Sequence, residues 1–510
     1  MTDESFTPDD LPEPADAANI VHNPTQGQLL KYSSHLDRPT EYGSPSYISE
    51  YKSRSSDHTR TTVDHDIDDS AMDELWDDVG QALDDEEMVC VDVRVGEDSA
   101  NAAVGRYFVP KDQARIALSL TNLMEPVEAD DPDFYTVQLP DRDELEIVAD
   151  PETGTTVVSG SDYTGEAKKS FLRQFMYDAK QQGGLGVHAG AKRVTIEDGG
   201  ELREVGQVYQ GLSGTGKSTL TGHGFWLDEP ESAEMIGDDV GALMPTEDGL
   251  AFNGSEGRGL YIKTNGLDDE QPELYDAATS TDAVLENVAV EDGEVDFDAE
   301  ELPDGSRTSN GRAVVLRDDL ASASEDINMG SVDQYFFITR NPYMAPITRL
   351  DDEQAAATFM LGESVETGAA DPDSRGEAVR VVGVNPFIMG SRGAEGNRFH
   401  ELIADDDVET YLLNTGTVAG RDIGVTETVS ILEAVTRGEV SWQEETYEDP
   451  DGGEVSLEVP DEVPGLDVDE FLPEQRLDDF EEERQQLLAE RRAYLERFDD
   501  LDEAIVNAVY

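Results

Sequence analysis

Residues 204–219 read EVGQVYQGLSGTGKST. The first seven suit a strand, and the nine that follow contain G-x-x-x-x-G-K-[ST], with Gly211, Gly216, Lys217 and Ser218 in the fixed positions. Chemistry needs these residue types at this spacing. Glycines let successive backbone N–H groups turn inward around phosphate oxygens, a lysine reaches the β- and γ-phosphates, and a hydroxyl binds the accompanying divalent cation. A bland glycine-rich turn is the competing reading. In this composition a chance match somewhere in the chain is about one in a hundred, which favours a phosphate loop behind a strand.

Two departures stand next to it. Ordinary phosphate-loop proteins send a long helix out of the loop, whereas Gly222 and Gly224 interrupt this one almost at once. Farther on, Ile236-Gly237-Asp238-Asp239 reads as a strand end followed by paired acids. Such a pair suits a metal-bound nucleotide, one carboxylate on the cation and the other on its water. In so acidic a chain the pair alone says little. Its position after an apolar strand and downstream of the loop is what gives it weight.

The chain has 510 residues, 115 Asp+Glu against 36 Lys+Arg, a net charge of -79 and a pI near 4.1. That balance excludes a protein that coats nucleic acid by releasing counterions, and it repels anionic membrane surfaces. No stretch approaches the ~18 apolar residues of a membrane span. The opening MTDESFTPDD has no apolar core, so it does not read as a secretory signal. The single cysteine, Cys90, cannot form an internal disulfide, consistent with a reducing cytoplasm. Disorder is one meaning of the charge. Adaptation to a salt-saturated cytosol is the better one, because strand-like runs such as MVCVDVRV (88–95) and VDQYFFITR (332–340) persist between the acids. Nine basic residues are lysine and the other 27 are arginine, so each surviving lysine is informative.

Residues 1–65 are polar and rich in turn formers, and read as loop-rich or partly disordered. Met72, Leu75, Trp76, Val79 and Leu83 form a helical stripe. MVCVDVRV reads as a strand, RYFVP (106–110) leads into a helix KDQARIALSLTNLM (111–124), and a further helix is expected over 166–181. The expected organisation is a 1–65 segment, a mixed α/β substrate-side domain over 66–185, a phosphate-loop nucleotide and metal domain over 186–440, and an acidic loop with a C-terminal helix over 441–510. Residues 291–306 and 445–454 read as acidic surface loops, and 474–498 as one helix.

Several local signatures occur in one order. They are YTGEAKK (163–169), GVHAGA around His188, GLSGTGKST (211–219), IGDDVG (236–241), EGRGLYIKT (256–264), QPELY (271–275), AVLENV (283–288), SNGRAVV (309–315) and LLNTGTVAGRDIGVTET (412–428). Over roughly 160–435 this resembles the ATP-dependent phosphoenolpyruvate carboxykinase family. The loop lacks the cysteine of the GTP-dependent branch. The resemblance implies a bilobal, mixed α/β fold with an atypical phosphate-loop domain. It also implies an enzyme that turns oxaloacetate and ATP into phosphoenolpyruvate, CO₂ and ADP with Mn²⁺ and Mg²⁺. Its partners would be small anions rather than nucleic acid or membrane, and it would be a monomer or small homo-oligomer.

Roles carry over by position as what the resemblance implies. Gly211, Leu212, Ser213, Gly214, Thr215, Gly216, Lys217, Ser218 and Thr219 would form the ATP loop, with Ser218 replacing the family's usual threonine on Mg²⁺. Lys169, His188 and Asp239 would ligate Mn²⁺, with Asp238 in the outer shell. Lys263 and Arg312 would neutralise the transferring phosphoryl group beside Lys217. Glu273, Arg421, Ile423 and Thr428 fall at the nucleotide site, and Tyr163, Lys169 and Arg54 at the substrate site. Arg60 competes with Arg54, because the family's upstream basic segment is represented only by SRSSDHTR (53–60). The family's HCSANVG is HAGAKRV here, which keeps the histidine and little else. Another phosphate-loop kinase would need no Lys169/His188 pair, and a non-catalytic nucleotide binder would need no substrate residues facing the loop.

Overall fold

MVCVDVRV folds as the strand Met88–Val95, buried throughout except at Arg94. A strand covered on both faces needs a nearly continuous apolar run. Its one acid, Asp92, is tolerated because Arg106 on the neighbouring strand donates to both carboxylate oxygens, at 2.8 and 3.1 Å. The computed structural model describes residues 6–50, 56–212, 217–222, 224, 226–268, 271–306, 310–365, 378–418, 420–448, 453–477 and 480–510. Contacts divide the chain into two units, Met1–Asp178 with Ser255–Ala321, and Ala179–Gly254 with Ser322–Tyr510. Both mix helix and sheet, so the fold is mixed α/β.

The first unit holds a mixed sheet in the order Ile20–His22, Met88–Val95, Ala103–Pro110, Phe134–Leu139, Thr155–Ser159, Glu146–Asp150, Thr59–Thr61. Helix Asp69–Asp85 starts where Asp68 accepts from the Ser70 N–H, and buries Trp76, Val79 and Leu83 against Met88, Phe108 and Val137. Its i, i+3, i+7 spacing is the stripe seen in the sequence. Helix Thr164–Gln181 packs Phe171 so closely on the sheet that a Cβ at Gly105 would stand 2.6 Å from the ring. A second sheet orders Gly259–Lys263, Arg312–Leu316, Val284–Glu286 and Ser46–Tyr47. Segment 6–65, expected to be loop-rich, therefore supplies sheet strands at 20–22, 46–47 and 59–61 and the helix Gln26–Ser33 among its described residues.

The second unit is built on the sheet Ser232–Gly237, Ala189–Asp198, Glu201–Gly211, Gln334–Thr339, Glu409–Asn414, Ile347–Leu350, Glu454–Glu462, Ser441–Glu448. Glu201–Gly211 pairs antiparallel with Ala189–Asp198 through a Gly199–Gly200 turn, and parallel with Gln334–Thr339. Both turn glycines have positive φ, 62° and 91°, a region costly for other residues. Aromatic contacts fill the core, with the Phe359 and Phe399 rings stacked at 4.6 Å.

In two further places the structure departs from the sequence reading. Residues 445–448 and 454 lie in paired strands rather than in an acidic loop. Val455, Leu457 and Val459 alternate inward while the acids face out, a period-2 pattern hidden by the charge. The 474–498 helix is split into Pro473–Arg476 and Phe480–Leu495, because Leu477 is extended at φ -107°, ψ 123°. The second piece starts at an acidic turn, Glu481–Glu483, which suits the positive end of a helix dipole. Among the described residues no helix is long and apolar enough to cross a membrane.

Candidate active site

Glu201–Gly211 delivers the chain to the glycine-rich loop, and the helix Lys217–Gly222 leaves it. Strand and helix thus flank the glycine-rich motif on either side. Residues 213–216 and the side chains of Ser218 and Thr219 lie outside the described residues. Lys217 is described: its side chain is 10% exposed, and its Nζ stands 3.5 Å from Asp239 Oδ1.

Asp239 is placed by Ser232–Gly237, which pairs with Ala189–Asp198 and releases the chain at the paired acids. The same carboxylate oxygen lies 3.0 Å from His188 Nε2. His188 stands between the strands Leu185–Val187 and Ala189–Asp198, with its ring edge on Phe387. Its Nδ1 is 2.8 Å from the Val384 carbonyl, which can only accept, so Nδ1 carries a proton. In the neutral ring Nε2 is then a lone pair facing a carboxylate oxygen. A proton or a cation must lie between two such acceptors. A histidine whose other nitrogen donates to a backbone carbonyl is the usual arrangement for metal ligation. Asp238 Oδ1 is buried and meets no hydrogen-bond donor among the described residues. These oxygen and nitrogen donors fit a divalent cation.

The first unit carries Tyr163, Lys169, Lys263 and Arg312. Tyr163 precedes helix Thr164–Gln181, and Lys169 in its first turns lies 2.9 Å from Glu166 and over the Tyr163 ring at 5.5 Å. Lys168 is held by both oxygens of Glu256 at 3.1 Å and lies 5.5 Å from the Tyr261 ring centroid. Sheet register aligns Lys263, Arg312 and Glu286 in one row across three strands. The Arg312 guanidinium stands over the Tyr261 ring at 5.7 Å, and the Tyr163 and Tyr261 rings are 6.2 Å apart. Burial, and then the Arg312 charge, lower the Lys263 pKa below the ordinary lysine range.

Glu286 ties this row together. It accepts from Arg115 Nη1 at 2.9 Å, from the Thr164 N–H at 3.2 Å and hydroxyl at 3.0 Å, and from the Tyr261 hydroxyl. Sequence reading missed both Glu286 and Tyr261. AVLENV and GLYIKT contain them, but one glutamate among 115 acids carries no signal by itself.

The remaining sequence candidates fall as follows. Glu273 is in the first turn of the helix Pro272–Ala278. Ile423 is buried with Val418 and Phe471, and the Thr428 hydroxyl donates to the Gly424 carbonyl at 2.9 Å. Arg421 is half-exposed, pairs with Glu470 and lies over Phe471. Arg60 pairs with Glu146, whereas Arg54 lies outside the described residues.

The fold is mixed α/β, and His188, Asp239 and Lys217 gather in its second unit. Residues 42–469 match the family model for phosphoenolpyruvate carboxykinase. A relative from Aeropyrum pernix, named phosphoenolpyruvate carboxykinase (ATP), is 32% identical over 467 residues, 90% of each chain. One of the same name from Rhizobium rhizogenes is 31% identical, covering 64% of this chain and 58% of its own. Another, from Geobacillus thermodenitrificans, is 29% identical over 71% of this chain and 66% of its own. The chain belongs to the ATP-dependent phosphoenolpyruvate carboxykinase family, whose members use a divalent metal with ATP.

Proposed function

We propose that this chain converts oxaloacetate and ATP to phosphoenolpyruvate, CO₂ and ADP, a gluconeogenic reaction in the cytoplasm. The observation that supports the reading is the His188–Asp239–Lys217 cluster, with Lys217 in the glycine-rich motif, in a chain that matches the family over 42–469. The two units would serve as the two lobes of the family fold.

In the first step the bond to the departing carboxylate of oxaloacetate breaks. CO₂ leaves and its electron pair forms the enolate. A β-keto acid needs no general base for this. The enolate oxygen then attacks the γ-phosphorus of ATP, and the bridging oxygen leaves with ADP. Charge builds on the enolate and on the phosphoryl oxygens, so fixed cations aimed at them lower the barrier. Lys217, Lys263 and Arg312 are assigned that task. The lowered pKa of Lys263 supports it, because a charge kept at a cost gains most when anionic oxygens arrive. Tyr163 is assigned to the substrate, with Arg54 as its carboxylate clamp now that Glu146 occupies Arg60. Glu273, Arg421, Ile423 and Thr428 are assigned to the nucleotide.

His188, Asp239 and Lys169 would hold Mn²⁺, with Asp238 on its water, and Ser218 would hold the Mg²⁺ that comes with ATP. When bound, the cations supply Lewis-acid neutralisation of the phosphate and enolate oxygens. A lysine ligand must be neutral, and a neighbouring cation favours that state. The surplus of acids is assigned to life at molar salt.

The test is a coupled assay in molar KCl with Mn²⁺, following phosphoenolpyruvate formed from oxaloacetate with ATP, and with GTP as comparator. ATP-dependent product is expected. Its absence with either nucleotide overturns the activity, and a preference for GTP overturns the nucleotide assignment.

A further inference from the structure

The helix that leaves the phosphate loop, Lys217–Gly222, has only six residues. A helix leaves its last four carbonyls without donors of its own, so one this short depends on outside partners. The Thr221 hydroxyl meets the Lys217 carbonyl at 3.1 Å. The Leu220 carbonyl is met by Lys192 Nζ at 2.8 Å. Lys192 rises from the neighbouring strand Ala189–Asp198, is 2% exposed, and lies 5.0 Å from the Tyr209 ring centroid. Gly190, two residues earlier and hence on the same strand face, lets the helix come close. A Cβ there would stand 2.4 Å from Thr221 Cγ2. Strand and helix therefore meet at two points, one steric and one polar.

Keeping a lysine here is costly. Burial lowers its pKa to about 7. The chain has also discarded most lysines, keeping nine beside 27 arginines. An ammonium at the C-terminal end of a helix faces the negative end of its dipole, which offsets part of that cost.

We propose that Lys192 is a positioning residue of the phosphate loop, anchoring the last turn of the Lys217–Gly222 helix to the strand beside it so that Lys217 is held where nucleotide phosphates bind. This rests on the reading that the loop binds ATP. Nothing in it requires Lys192 to touch substrate. Its effect passes through the helix, where a displacement of about 1 Å is enough to cost two orders of magnitude in rate.

Lys192→Met keeps the length and the apolar stem while removing donor and charge. Two opposed terms act on stability, relief of a buried charge and loss of a partner for the Leu220 carbonyl. A melting temperature within a few degrees of wild type is expected. The KM for ATP should rise about tenfold while the KM for oxaloacetate stays within about twofold, a split that general structural damage does not produce. Gly190→Ala, which pushes on Thr221 from the same strand, should show the same split and serves if the methionine variant does not fold. An unchanged ATP KM in the folded variants, or equal changes in both KM values, overturns the proposal. Absence of ATP-dependent product in the wild-type protein instead overturns the activity reading on which it rests.

Discussion

Replacing Glu363 by glutamine should destabilise the second unit in a manner set by pH. The carboxylate is 9% exposed and receives Arg491 Nη2 at 2.6 Å, Arg380 Nη2 and Nε each at 2.8 Å, and Asn341 Nδ2 at 3.2 Å. Burial by itself would raise its pKa. The Arg491 and Arg380 guanidiniums outweigh burial and bring it down from 4.5 to about 2. A carboxylate depressed in the folded state stabilises above its unfolded pKa, and that contribution fades as pH falls through the folded value. The shift corresponds to about 3 kcal/mol at pH 7, of which about 1.4 kcal/mol remains at pH 3. Loss of one partner from a buried ion pair costs about 3–5 kcal/mol, in agreement. At about 2–4 °C per kcal/mol, Glu363→Gln should lower the melting temperature by about 6–12 °C at pH 7. The assay is a pair of thermal melts, wild type and variant, at pH 7, 5, 4 and 3 in the same KCl. The gap should shrink to less than half by pH 3. No gap at pH 7, or one undiminished at pH 3, refutes the assignment of this stability to the ionised carboxylate.

Lys217→Ala and Arg312→Ala should each lower kcat by about 10²–10³-fold with the circular dichroism spectrum unchanged, and near-normal turnover in either would remove that residue from the phosphoryl-transfer reading. Asp239→Asn, which weakens the acceptor facing His188 and leaves Lys217 without its counter-charge, should shift the Mn²⁺ activation curve by at least about 10–100-fold, and a superimposable curve would exclude Asp239 as a ligand. Raising KCl from 0.01 to 1 M shrinks the screening length from about 30 to 3 Å, so melting temperature and initial rate should climb together, whereas full activity and an unchanged melt in 50 mM salt would sink the salt-adaptation reading.

Local pattern made several features legible in the sequence. GLSGTGKST carries its chemistry in residue type and spacing, and the Trp76–Leu83 stripe shows on a chain that must turn every 3.6 residues. Patterns masked by acid were not legible. Residues 445–454 read as a charged loop because exposed Glu444, Glu454 and Glu458 on the paired strands hide the inward-facing Val455, Leu457 and Val459.

What the sequence by itself determined was the identity of the groups: a glycine-rich G-x-x-x-x-G-K-[ST] motif, a histidine ahead of it, an acid pair after it, and a family resemblance running through 160–435. Only the tertiary structure decided how they combine. Segment 255–321 clusters with the N-terminal residues across a gap in the chain, and nothing in a linear reading marks that return. His188 and Asp239 are 51 residues apart, and their 3.0 Å approach is set by strand pairing and by a Val384 carbonyl 196 residues from the ring it orients. Glu286, Tyr261 and Lys192 are ordinary residue types whose meaning comes from register and burial. Composition and motif are properties of the chain, whereas a cross-strand row such as Lys263–Arg312–Glu286 exists only once hydrogen bonding has fixed which residues lie opposite one another.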